Sequence, residues 1–242
     1  MGRVTLLTDF GTSDGYVAAM KGVLTTGAPS AVLDDAGHDL PRGDVSHAAW
    51  TLRRYWGRYP EGTVHLVVVD PGVGTGRRAL AVEAGGRLGV GPDNGVFGLV
   101  VAAHPGWRAV SLPSPEGASS TFHGRDVFAP AAARLAAGAS LDDLGESVDD
   151  LVRLPTPEVG GDGRVRTVDR FGNLVTDVPG ERLAAGVEMA GRRIGSAGTY
   201  GEVAIGALVA LVGSDGTVEV AVRDGSAAER LGVGVGEAVR LL

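Results

Sequence analysis

Five short segments set carboxylates, a guanidinium, an imidazole or an amide beside glycine-rich turns, where side chains meet ligands more readily than they meet a core. The first is Thr8-Asp9-Phe10-Gly11-Thr12-Ser13-Asp14-Gly15-Tyr16, which reads as a strand end, a turn and a helix start. Ligands of open α/β sheets bind outside the carboxyl ends of strands, so Asp9 and Asp14 are placed to accept hydrogen bonds from a ribose diol. Both also suit the plainer work of capping a turn and a helix. The segment lacks Gly-x-Gly-x-x-Gly and Gly-Lys-Ser/Thr, so it does not read as a phosphate cradle.

The second segment runs from Asp70 to Arg78 and places Arg77 seven residues beyond Asp70, across a loop containing Gly72, Gly74 and Gly76. Arginine suits planar pairing with a buried carboxylate, and Asp70 follows the most apolar run of the chain, so a fixed Asp70–Arg77 pair is expected. The third, Thr121-Phe122-His123-Gly124-Arg125-Asp126, sets His123 between a loop and a helix start, a context that suits proton transfer or a structural role equally. The fourth, Gly89-Val90-Gly91-Pro92-Asp93-Asn94-Gly95, reads as a turn in which Asn94 adopts a left-handed conformation or caps a helix. In the fifth, Val168-Asp169-Arg170-Phe171-Gly172-Asn173, a carboxylate, a ring and a bidentate amide suit an ammonium group and an adenine edge, or else form a β-turn.

These segments need elements to hold them. Short apolar runs at 4–8, 31–33, 65–69, 80–82 and 108–112 predict strands, and amphipathic runs at 16–25, 44–56, 95–103 and 126–136 predict helices. The alternation predicts a layered α/β domain with a mostly parallel sheet, whose central strand is the run Val64 to Val69, apolar nearly throughout. The texture changes at Pro155-Thr156-Pro157, after which alternating segments such as Thr217 to Val222 predict a smaller β domain. The expected domains are therefore residues 1–155 and 160–242.

Composition narrows the partners. With 22 basic against 29 acidic residues, a formal charge of −7 and no basic block, the chain does not read as nucleic-acid binding. It has no cysteine, which removes disulfides, thiolate metal sites and cysteine nucleophiles. An aspartate at residue 9 comes too early for a signal-peptide core, and no run of 18 apolar residues occurs, so a cytoplasmic protein without a membrane span is expected. Asn94 and Asn173 are the only asparagines, and both lie in the motifs above.

Taken in order, the five segments resemble the S-adenosyl-L-methionine hydroxide adenosyltransferases, relatives of the S-adenosylmethionine-dependent fluorinases and chlorinases. The resemblance runs from residue 4 to about residue 240. It implies a C-terminal β-barrel-like domain and a homotrimer with active sites between subunits. The implied catalytic set is Asp70, Arg77 and His123, and the implied reaction is attack of water or hydroxide on C5′ of S-adenosylmethionine, with no cofactor or metal. The implied substrate contacts are Asp9, Asp14, Phe122, Asp169, Phe171 and Asn173, with Ser214, Arg223 and Ala227 from two C-terminal segments that look like the family's adenine contacts. Relatives commonly carry Asn-Asn-Gly-Asn where this chain has Arg223-Asp224-Gly225-Ser226. In the fluorinases, tyrosine and serine stand at the positions of Asp70 and Gly124.

Two other readings use parts of the same set. A metal-dependent nucleoside hydrolase would need the carboxylates of Asp9, Asp14 and Asp70 to converge on a cation. A non-catalytic S-adenosylmethionine or adenosine binding module would keep Asp9 and Asn173 but has no use for Asp70, Arg77 and His123 together.

Overall fold

The computed structural model describes residues 2–154 and 161–242. The chain forms two compact units, Met1–Pro155 and Thr156–Leu242. The expected boundary at Pro155-Thr156-Pro157 lies outside the described residues.

In the first unit, β1 (Arg3–Thr8), α1 (Tyr16–Gly27), β2 (Val32–Gly37), α2 (Val45–Trp56), β3 (Val64–Val68), β4 (Ala79–Ala84), β5 (Arg87–Pro92), α3 (Gly98–Ala103) and β6 (Arg108–Leu112) follow in order. A π-helical turn, Gly124–Phe128, then leads into α4 (Ala129–Ala136), and β7 (Glu146–Val148) ends the unit. The sheet order is β2-β1-β3-β5-β4-β6-β7. Five of the seven strands run in one direction, with β4 and β7 opposed. Successive residues of β3 serve opposite faces: Leu66 and Val68 pack with Met20, Leu24 and Phe128, and Val67 and Val69 pack with Leu52, Trp56 and Phe97. Burial on both faces is the reason that run is apolar nearly throughout, His65 being the exception.

The sequence reading fails in one instructive place. Residues 89–92 are strand, not turn, because β5 continues to Pro92. A Cβ on Gly89 would lie 2.6 Å from the Phe97 ring, and one on Gly91 would lie 2.5 Å from the Val67 carbonyl oxygen. These glycines answer to close packing rather than to backbone bending. The helix expected from residue 95 also starts later, at Gly98.

In the second unit, β8 (Gly163–Val168), β9 (Leu174–Pro179), β10 (Gly186–Met189), β11 (Arg192–Gly195), β12 (Leu208–Val212) and β13 (Thr217–Val222) precede α5 (Ala227–Leu231) and β14 (Ala238–Leu241). The order β11-β10-β14-β8-β9-β13-β12 is antiparallel throughout. A bridge between Ser196 and Ala210 joins the region of the first strand in that order to the last, so the sheet curls into a barrel. Val165, Leu174, Met189, Ile194, Val220 and Val239 fill its interior.

Candidate active site

Two parallel neighbours, β1 and β3, deliver Asp9 and Asp70 to the same end of the first sheet. Asp9 Oδ2 accepts a hydrogen bond from the Gly43 amide at 2.7 Å, which fixes the carboxylate and leaves its other oxygen without a donor among the described residues. Asp14 does not cap α1. That place belongs to Gly15, whose φ of 76° lies in the left-handed region and which has no side chain to donate or accept. Asp14 instead lines a cleft of about 1110 Å³ together with Asp9, Tyr16, His38, Arg42 and Asp70.

Phe122 belongs to an aromatic trio, its ring centroid lying 5.2 Å from that of Tyr16 and 6.1 Å from that of Phe10. Phe10 and Tyr16 both line the cleft. Under the cleft, His38 Nδ1 meets the Thr8 hydroxyl at 2.9 Å, and His38 Nε2 lies 3.0 Å from Asp35 Oδ1. Burial pushes the Asp35 carboxyl up, but hydrogen bonds from Lys21 and His38 outweigh it and hold the group below the usual carboxylate range.

Asp70, Arg77 and His123 form one hydrogen-bonded chain. Arg77 Nε donates to Asp70 Oδ1 at 2.9 Å, and Arg77 Nη2 donates to Asp70 Oδ2 and also to His123 Nδ1, the latter at 2.9 Å. The Arg77 face rests on the Phe128 ring, its Cζ 5.1 Å from the centroid. The side chains of Arg77 and Asp70 are only 9% and 4% exposed, so the pair is bidentate, stacked and largely shielded from solvent. Arginine has no acceptor, so the contact with His123 requires the tautomer with Nδ1 bare and the proton on Nε2. Nε2 then presents an N–H on the other side of the ring. Arg77 and His123 border a second recess of about 360 Å³. Arg78 turns away and pairs with Asp93 and Asp150, each at 2.7 Å.

In the second unit the turn between β8 and β9 organises itself. Asp169 Oδ1 accepts the amides of Phe171 and Asn173 at 2.9 Å, and Asp169 Oδ2 accepts from Asn173 Nδ2 at 3.0 Å. Gly172 has φ of 80°, and a Cβ there would sit 2.1 Å from the Ser226 hydroxyl oxygen, so only glycine fits. Asp169, Phe171, Asn173, Tyr200, Arg223 and Ser226 border a cleft of about 980 Å³. Phe171 is 76% exposed at its rim. Arg223 Nη1 donates to the carbonyls of Val203 and Gly201, holding the loop that carries Tyr200. Burial and the neighbouring Glu219 raise the Tyr200 hydroxyl well above its ordinary pKa.

Two expected contacts lie elsewhere. Ala227 is fully buried in the barrel core, and its neighbours Ser226 and Ala228 border the cleft. Ser214 sits in the β12–β13 turn, whereas Arg223 leaves the opposite end of that hairpin, where Leu208 pairs with Val222. The two C-terminal segments therefore do not share one cleft within this unit. Tyr200 was not anticipated; it stands 27 residues past Asn173 with no motif around it, and only the barrel brings the two together.

A first unit with a carboxylate turn and a part-buried Asp–Arg–His chain at its strand ends, followed by a barrel with its own polar cleft, defines a two-domain α/β class without a phosphate loop. The particular family follows from the comparisons. Residues 4–145 match the SAM hydroxide adenosyltransferase N-terminal domain and residues 163–240 match the C-terminal domain of the same name. The chain belongs to the SAM hydroxide adenosyltransferase family.

It is 47% identical to a Thermus thermophilus protein named (R)-S-adenosyl-L-methionine hydrolase over all of both chains. It is 46% identical to a protein of the same name from Salinispora arenicola, over 98% of this chain and 97% of the relative. A fluorinase from an Actinoplanes species is more distant, at 28% identity over 72% of this chain and 71% of its own. The crystal structure of an uncharacterized conserved protein from Thermotoga maritima superposes with a TM-score of 0.91 at 32% identity, over 98% of this chain and 99% of that one.

Proposed function

We propose that this protein hydrolyses S-adenosylmethionine to adenosine and methionine by in-line attack of water on C5′, and that the (R)-sulfonium epimer is its substrate. The observation that carries the reading is the shielded Asp70–Arg77–His123 chain in a protein whose near full-length relatives are named (R)-S-adenosyl-L-methionine hydrolase. The leaving group departs as a neutral thioether, its sulfur keeping the electron pair of the broken C5′–S bond, so no acid is needed there. The demand falls on the nucleophile, since free water has a pKa of about 15.7.

The charge of Arg77 stabilises negative character on the attacking oxygen, and low exposure strengthens that effect. His123 donates from Nε2 to orient the water. Asp70, which borders the Asp9 cleft, keeps lone pairs beyond those bonded to Arg77 and accepts the proton as the C–O bond forms. Asp9 holds the ribose diol with Asp14 beside it, and Phe122 backs the aromatic wall. Asp169, Phe171 and Asn173 contact methionine and adenine, with Arg223 behind them. Ser214 and Ala227 contribute through backbone groups.

The rest of the reading keeps residues 1–155 as the catalytic domain and 160–242 as the small β domain, in a cytoplasmic homotrimer with active sites between subunits and no cofactor. No described helix is long and apolar enough to cross a membrane. Light scattering tests the assembly, with three times 24.6 kDa expected. The metal-hydrolase alternative is disfavoured by the names of the near full-length relatives, and among the described residues no three His, Asp or Glu side chains converge for a cation.

Incubation with each sulfonium epimer, followed by chromatography, tests the reaction. Equal amounts of adenosine and methionine from the (R) epimer are expected, whereas adenine with S-ribosylmethionine would show that the glycosidic bond breaks instead.

A further inference from the structure

Asp70 and Arg77 meet across a strand that belongs to neither. Asp70 follows β3, Arg77 precedes β4, and β5 lies between those strands in the sheet. β5 runs parallel to β3 and antiparallel to β4, with Ala79 paired to Pro92. Its carboxyl end therefore emerges between the two feet of the loop that carries the pair. The residues that emerge there are Asp93 and Asn94.

Each grips one foot. Asn94 Nδ2 donates to the Val69 carbonyl at 2.9 Å, one residue before Asp70. Asp93 is 6% exposed, and its Oδ2 accepts from Arg78 Nε at 2.8 Å. Its amide donates to the Arg78 carbonyl at 2.9 Å, and the same carbonyl accepts from Arg77 Nη1 at 3.3 Å. Asp93 Oδ1 is itself held by the Val152 amide at 2.8 Å. A bidentate guanidinium–carboxylate pair tolerates little displacement, and the separation of the two feet sets whether it closes.

We infer that Asp93 and Asn94 are positioning residues for turnover, Asn94 setting Asp70 through Val69 and Asp93 setting Arg77 through Arg78. The inference rests on the assignment of Asp70 and Arg77 to the reaction. The plainer role for Asn94 is to close its own turn, because Oδ1 accepts the Val96 amide at 3.3 Å. Asn94→Asp separates the two roles, keeping that acceptor while losing the donor to Val69. Asn94→Ala loses both and adds no charge.

Steady-state kinetics with S-adenosylmethionine, on variants whose circular dichroism and Tm match the parent, reads the outcome. Both substitutions are expected to lower kcat by about tenfold or more with KM within about twofold. Asn94→Asp remains informative if Asn94→Ala fails to fold. In an Asp70→Ala background neither substitution should cost anything further, because the carboxylate that Asn94 sets is gone. Full kcat in Asn94→Asp, or losses that add to that of Asp70→Ala, would overturn the inference. Full turnover in Arg77→Ala alone would instead remove the assignment on which it rests.

Discussion

The two clefts are built in opposite ways. In the first unit the site groups are distant in sequence, His123 standing 46 positions beyond Arg77, and they are joined by hydrogen bonds from a guanidinium largely shielded from solvent. In the second unit Asp169 and Asn173 are four residues apart, bonded to each other in a single turn, with Phe171 exposed beside them. A shielded, preorganised charge is what a developing hydroxide needs. A local turn with an exposed ring suits recognition, where contacts form when the ligand arrives and serve ground state and transition state alike. Under the proposed function, the contrast places the chemistry in the first unit and gives the second unit binding alone.

Removing the guanidinium should break that division most severely. Arg77→Ala is expected to lower kcat by about 10² or more with a smaller change in KM, the scale for loss of one preorganised electrostatic donor. Arg78→Ala, which touches Asp93 and Asp150 instead, should cost far less in the same assay. Equal losses would mean that the two arginines do not differ in role.

Asn173→Ala should act in the other sense, raising KM about tenfold while kcat changes less, because it removes a contact present in both states. A kcat loss as large as that of Arg77→Ala would dissolve the contrast between the units.

A further effect concerns stability and is confined to the first unit. His65 is buried against Tyr55, Trp56 and Tyr59, with Nδ1 2.8 Å from the Thr5 hydroxyl. Burial pushes its pKa down to about 4 from the ordinary 6.5. The folded state thus favours neutral His65, and its contribution is full above about pH 6.5 and is lost as the pH falls toward 4. Denaturant titrations should show about 2 kcal/mol lost between pH 7 and pH 5, with His65→Gln flattening the slope. An unchanged slope would mean that His65 is not held neutral.

The same contrast governs how much could be read from sequence. Asp70 and Arg77 share one loop, so their spacing carried the pairing, and the Asp169–Asn173 turn is wholly local. His123 was recognisable by type and context, but its bond to Arg77 depends on the π-helical turn that starts at Gly124. The strand character of Gly89 and Gly91 was hidden because their glycines answer to Phe97 and the Val67 carbonyl rather than to a turn. The work of Asn94 depends on β5 lying between β3 and β4, a strand order that no local pattern records. Ser214 and Arg223 come from two segments that both resembled adenine contacts, and only the hairpin shows that they stand at its opposite ends.

The central claim is that water reaches C5′ under the charge of Arg77. A halide competes on physical grounds, since Arg77 attracts anions, but Asp70 offsets that charge and Gly124 offers no hydroxyl. A serine there would press its Cβ to 3.1 Å from the Phe122 ring and 3.2 Å from Met20 Sδ. Turnover of (R)-S-adenosylmethionine in ¹⁸O-labelled water containing high chloride or fluoride, with the products resolved by mass spectrometry, tests the claim directly. The label is expected on the 5′-oxygen of adenosine, as the only nucleoside product. Formation of 5′-chloro- or 5′-fluoro-5′-deoxyadenosine above a no-enzyme control, or label on the anomeric carbon of a ribosyl product, would contradict it.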